Sequence, residues 1–270
     1  MTQVSDPSPT VAGTPQGMGA PQGDPHFLYV LRHADDNLVM AQRLSEWVSW
    51  APELEEDIAL ANFALDHLGQ ARALLAHAAE LAGSGDEDTL AMQRTERGYT
   101  NLLLVEQPNG DFAHTMARSL FFDAYQVELW DRLSASGDRT LAGVGAKARK
   151  ESRYHLRHST TWVVRLGDGT EESHRRMQDA VDALWRYTGE MFETDGIDRT
   201  MADRGIGVAS DGLRVVWEER MRTVLSDATL TVPTDGYVRS GGRSGFHTEH
   251  LGHLLTEMQW MQRTYPGARW

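Results

Sequence analysis

PELEEDIALANFALDHLGQARALLAHAAELAG, residues 52–83, is apolar nearly all round once its acidic first turn is past. A run of this length reads as one helix, because an interior proline would cost ~3 kcal/mol and the only proline here stands where the helix would begin. Apolar side chains on every side mark a helix with neighbours on several sides. Gly83-Ser84-Gly85 is where it closes. Outward from this segment proline stays scarce, with only Pro108 between Pro52 and Pro233. Apolar periodicity predicts helices at about 26–50, 53–82, 111–136, 139–166, 171–194, 210–228 and 247–263. Asp138 and Thr170 stand as N-caps. No alternating β-branched stretch with hairpin turns competes, and no repeat of fixed period is present. The fold class is all-α.

The chain has 270 residues and a net charge of −13, with 39 acidic against 26 basic side chains. That balance argues against a nucleic-acid partner, which would be held by clustered Lys and Arg. Cysteine is absent, so disulfides, thiolate metal sites and Cys nucleophiles are excluded, and any metal must use His and carboxylates. No apolar run approaches the ~18 residues of a membrane span. Residues 1–25 hold five of the nine prolines and four glycines. They read as a disordered tail ahead of one helical domain over 26–270. The tail has no apolar core of a signal peptide, which makes the expected location cytoplasmic.

The chemistry lies in the polar residues that fall inside the apolar stripes. With Leu31 at zero and ~100° per residue, Glu46 lies at about +60°, the edge of the first helix's buried face. Asn62, Asp66, Gly69 and Ala73 share a stripe on the second helix. Asp123 falls within the Leu120–Val127–Trp130 stripe of the third, and Glu151 and His155 align with Leu141, Val144, Ala148 and Trp162 on the fourth. Four successive long helices thus each carry one carboxylate toward the expected core. A di-iron bundle site takes a Glu from each of two helices and a Glu-x-x-His pair from each of the other two. Three residues after Asp66 stands Gly69, and three after Glu151 stands Tyr154, so both histidine slots are empty. His155 is one residue late, and His67 is turned ~100° from Asp66. Metal-free and buried, such acids must pair with cations or protonate; Arg43, Arg72 and Lys147 are the candidate counterions.

An alternative keeps Glu46, Asp66, Asp123, Glu151 and His155 as direct ligands of an autonomous di-iron or mono-metal carboxylate oxidoreductase. A metal-free module for an acyl-CoA is disfavoured, since no basic cluster faces the CoA phosphates. His247, His250 and His253 are spaced for pairwise ligation, yet no third ligand is evident, and they read as capping, packing or interface groups. Trp185, Met191 and Phe192 read as a helical core stripe. No phosphate loop, nucleophile elbow or triad is present.

Four segments carry a resemblance: APELEEDIALANFALDHLGQARALL (51–75), NLLLVEQPNGDFAHTMARSLFFDAY (101–125), KARKESRYHLRHS (147–159) and HTEHLGHLLTEMQWMQRTYPGARW (247–270). In order and spacing they resemble the C-subunit family of bacterial phenylacetyl-CoA 1,2-epoxidases, multicomponent ring-epoxidising monooxygenases, over residues 26–270. The loop NLLLVEQPNGDFA is the sharpest of these signals. The resemblance implies a ferritin-like helical bundle with additional C-terminal helices. It implies a structural, non-catalytic partner of the catalytic A subunit and of the other components of the complex, acting in phenylacetate catabolism. On that reading Glu46, Asp66, Gly69, Asp123, Glu151, Tyr154 and His155 mark a degenerate di-iron site, and this chain holds neither metal nor catalytic residues. The implied cofactors lie elsewhere, with iron in the A subunit and flavin, an iron–sulfur cluster and NADPH in a reductase.

Overall fold

The computed structural model describes residues 23–234 and 236–268; most of the predicted 1–25 tail lies outside them. Helix α1 (Pro25–Ser45) starts at Asp24, whose carboxylate accepts from the His26 N–H, with Pro25 in the first turn, where it needs no partner for a missing N–H. α2 (Leu54–Ala82) ends on Gly83, whose φ of 67° is the left-handed cap conformation that glycine adopts without penalty. Two short helices follow, α3 (Glu87–Met92) and α4 (Leu103–Glu106). α5 (Phe112–Leu133) and α6 (Arg139–Gly167) come next, capped by Asp111 and Asp138. Thr170 and Ser173 form a reciprocal cap on α7 (Glu171–Trp185), and Asp195 and Asp198 form another on α8 (Gly196–Asp203). α9 (Arg214–Asp227) and α10 (Glu249–Thr264) complete the order. Among the described residues there is no strand, and no helix is long and apolar enough to cross a membrane.

α1 packs along α2, α5 packs along α6, and the two hairpins close a four-helix bundle through α2–α6 contacts, with α7, α8 and α9 laid against its flanks. This is the all-α, ferritin-like bundle expected from the sequence. α6 approaches the end of α5 so closely that a methyl group on Gly145 would stand 2.9 Å from the Ser134 nitrogen, so a hydrogen is what fits there. α1 is the axle of the molecule: every residue from Tyr29 to Ala41 is buried. Its acids survive there because each is matched. Asp35 meets Arg94, Asp36 meets Arg243 at 2.8 Å, and Arg32 joins α1 to Asp198 at 2.7 Å.

Several helices are shorter than periodicity predicts, the third by a turn, at Phe112–Leu133 rather than 111–136. The first ends at Ser45 rather than residue 50, because the chain turns over through Ser49, which has a positive φ and donates to Asp57. The fifth ends at Trp185 and re-forms as a 3₁₀ turn at Gly189–Phe192, so Met191 and Phe192 reach the core from that turn and only Trp185 from the helix. The sixth opens as a 3₁₀ turn, Ser210–Leu213, before α9. α3, α4 and α8 have too few turns to give a periodic signal, and the sequence does not announce them.

Candidate functional site

The interior of the four-helix bundle is the candidate site, and it is assembled from residues one position away from most of those the stripes suggest. On α1, Asn37 donates through Nδ2 to the His33 carbonyl at 2.8 Å, which leaves its Oδ1 to accept from His67 Nδ1 on α2, also at 2.8 Å. His67 therefore carries its proton on Nδ1, and its Nε2 is buried without a partner. Burial first, and then the neighbouring His155, holds His67 well below the usual imidazole range, so the ring is neutral. From α5, Asp123 accepts from the Ser159 hydroxyl at 2.8 Å. Burial pushes this carboxyl up to about 7, against the opposing effects of His155 and the Ser159 hydrogen bond. From α6, His155 donates Nε2–H to Asp66 at 3.0 Å, and its Nδ1 is left without a partner in the interior. Ligand atoms of His67, Asp123 and His155 all lie within 4.8 Å of one another.

Phe63 packs against His155 at 4.4 Å between ring centres and Phe122 against His67 at 5.8 Å, which lays an aromatic ring against each imidazole. The free space among Met40, Leu60, Phe63, Met116 and the cluster is about 10 Å³, room for one water at most.

The remaining sequence candidates stand at the edge of this cluster or outside it. Glu46 caps the end of α1 at the surface, paired with Arg43 at 2.8 Å and accepting from Asn109. Its place on the stripe does not bring it inward because the helix has already ended. Asp66 is half-exposed and Gly69 exposed; α2 is rotated so that His67 and Gln70 make the inward pair three residues apart. Glu151 likewise lies at the rim, held by Lys147 at 3.0 Å and Gln70 at 3.0 Å, while Ser152 and His155 form the inward pair of α6. Tyr154 is 53 % exposed and packs its ring edge-on to Phe63. Of the three candidate counterions, Arg43 and Lys147 do pair with Glu46 and Glu151, whereas Arg72 is exposed and reaches only Glu87, at 3.5 Å. Asn37, His67, Gln70, Ser152 and Ser159 are among the interior residues that the stripes miss. Moving the register one residue along finds the pairs His67-x-x-Gln70 and Ser152-x-x-His155.

A di-iron centre of the bundle type needs four carboxylates and two imidazoles. Asn37, His67, Gln70, Asp123, Ser152, His155 and Ser159 together offer one carboxylate, two imidazoles, two amides and two hydroxyls, so these residues do not fit a pair of irons. They can share protons among Asp123, His155 and Asp66, and the two imidazoles with Asp123 have the donor types to hold a single divalent ion.

The second polar centre is the loop around α4. Glu106 is fully buried, accepting from the Thr248 N–H at 2.6 Å, the Thr248 hydroxyl at 2.8 Å and Asn101 at 2.9 Å. His247 donates to Glu106 at 2.8 Å and to the Tyr99 carbonyl at 2.9 Å, which requires both ring nitrogens protonated. Burial alone would lower His247, but the hydrogen bond and charge of Glu106 outweigh it and raise the imidazole above its ordinary range. His247 is thus a structural ion-pair partner, His250 is half-buried and His253 is exposed.

The profile of the family described as "Phenylacetic acid catabolic protein" matches residues 11–270. The chain is 54 % identical over 242 residues to the C subunit of the 1,2-phenylacetyl-CoA epoxidase of Escherichia coli (strain K12), covering 90 % of this chain and 98 % of that relative.

Proposed function

This chain belongs to the phenylacetic acid catabolic protein family, and we propose that it serves as the non-catalytic C-type subunit of a phenylacetyl-CoA epoxidase, stabilising the di-iron A subunit. The carrying observation is the inward set of the bundle. The His67–Asp123–His155 cluster holds a single carboxylate where the chemistry of paired irons needs four, so oxygen activation is assigned to the partner. An exposed apolar strip supports a life in complex. Leu54, Ile58, Leu65 and Leu68 line the outer side of α2 at 71, 55, 64 and 40 % exposure, beside Trp50. Apolar surface of this kind marks a partner face more often than bare solvent contact. On this reading the iron belongs to the A subunit, and flavin, an iron–sulfur cluster and NADPH belong to the reductase that supplies electrons. The chain's location is the cytoplasm.

The test is to purify the chain alone and mixed with the A subunit by gel filtration and assay iron in each peak. The expected result is co-elution with A, iron following A, and no iron pair in the lone chain. Two irons per lone chain, with oxygen-dependent turnover, would overturn the proposal. A second reading rests on the His67–Asp123–His155 triplet, whose unpartnered nitrogens suit one mononuclear ion. One iron per lone chain, lost on His155→Ala, would favour it.

A further inference from the structure

Outside the bundle interior, a second cluster of ligand-type side chains joins three elements, and nothing in the proposed role uses it. His26, from the first turn of α1, and His77, from the last third of α2, both direct Nε2 at the same oxygen of Asp138, at 2.7 and 2.6 Å. The other oxygen of Asp138 is occupied by the cap of α6, accepting from Thr140 N and Leu141 N at 2.8 and 2.9 Å. The cap fixes the carboxylate plane and leaves Oδ2 as the atom presented to the two rings. All three ligand atoms lie within 4.8 Å of one another. Side-chain exposures of 17 % for His26, 10 % for His77 and 7 % for Asp138 put the cluster just beneath the surface, where an ion can enter and keep a water.

We propose that His26, His77 and Asp138 form a binding site for one divalent transition-metal ion of the zinc class, a clip that ties the start of α1 to α2 and to the N-terminus of α6. Two imidazole nitrogens and one carboxylate oxygen are a common three-ligand zinc set, with water in the fourth position. Ligand bonds of ~2.0–2.1 Å in a tetrahedron place donors roughly 3.3 Å apart. Each present contact must therefore open by about 0.7 Å, a side-chain rotation that His26, on a terminal turn, can supply.

A second observation points the same way. With both Nε2 atoms acting as hydrogen donors to Asp138, His77 Nδ1 carries no proton, and it is buried with no hydrogen-bond partner. Glu80 Oε2 stands 3.6 Å from that nitrogen. Metal on Nε2 moves the ring proton to Nδ1, which can then donate to the Glu80 carboxylate. A second carboxylate behind a metal-bound imidazole is the usual way such a ring is oriented. The orphaned nitrogen is thereby satisfied by the same event that fills the site.

The experiment uses the untagged full chain, stripped with a chelator and titrated with Co²⁺ by visible absorption, followed by displacement with Zn²⁺. The expected result is one tight equivalent, a higher unfolding temperature with Zn²⁺, and affinity reduced at least about tenfold in His26→Ala and in His77→Ala. Asp138→Asn keeps the helix cap through its carbonyl oxygen and is expected to lose the ion while keeping the helix content of the parent. Glu80→Gln is expected to weaken binding about tenfold without abolishing it. Binding by the parent no tighter than by the His26→Ala/His77→Ala double variant would overturn the site. So would a Co²⁺ spectrum that survives both substitutions and disappears in His155→Ala, which would place the ion inside the bundle instead.

Discussion

Asp123 is enclosed by the bundle with a single hydroxyl donor, and burial lifts its carboxyl from 3.8 to about 7. A carboxyl raised on folding stabilises the fold in its protonated state, and that contribution disappears as pH rises from the unfolded value through the folded one. Between about pH 4 and pH 7 the displacement amounts to ~4 kcal/mol against the folded chain, as an upper figure. Asp123→Asn removes the titration and keeps an acceptor for Ser159. Urea unfolding is expected to show the Asn variant gaining on the parent from pH 5 to pH 8; an advantage that shrinks over that range would contradict the assignment. That Asp123 and His155 face inward is legible from their stripes. That His67 rather than Asp66 joins them is not, because α2 is apolar on two faces. One of these meets the core and the other, through Leu54, Ile58, Leu65 and Leu68, meets solvent. Periodicity finds apolar faces but does not say which one the chain itself covers.

The loop NLLLVEQPNG acquires its reason at the level of elements. Its peptide N–H groups and side chains close a buried polar knot between α1, the 3₁₀ turn at Gly189–Phe192 and the entry to α10. Leu102 N donates to Asp36 at 2.8 Å, Leu103 N to Glu190 at 2.7 Å, and the Glu106 carbonyl accepts from Arg43 at 2.7 Å. Nothing local in the sequence announces these partners, since Glu190, Arg243 and His247 stand far along the chain. Glu106→Ala leaves the charged His247 buried and unpaired and is expected to cost ~3–5 kcal/mol in chemical denaturation. A loss below about 1 kcal/mol would mean that α10 does not depend on this knot. Gly145→Ala is expected to cost ~1–3 kcal/mol by pressing a methyl group on the Ser134 backbone. An unchanged unfolding temperature would show that α5 and α6 separate without penalty. The caps at Asp138 and Thr170 and the close at Gly83 are readable in advance because capping is chemistry between near neighbours.

For the whole molecule, the fold keeps the ferritin-like frame while its interior presents Asn37, Gln70, Ser152 and Ser159, amides and hydroxyls rather than the carboxylates that a metal pair needs. The apolar outer side of α2 then becomes informative. Leu65→Glu together with Ile58→Glu is expected to leave the lone chain's unfolding temperature within a few degrees, because both side chains are exposed, and to weaken association with the A subunit by about tenfold or more. Thermal unfolding reads the first and gel filtration of the mixture the second, and full retention of binding would move the interface elsewhere. The most direct measurement is turnover by the assembled epoxidase built with His67→Gln/Asp123→Asn in this chain, with co-elution and helix content checked alongside. Epoxidation within about twofold of the parent complex is the expected result. Abolished turnover in a complex that still assembles would put the oxygen chemistry inside this bundle and contradict the supporting role proposed for it.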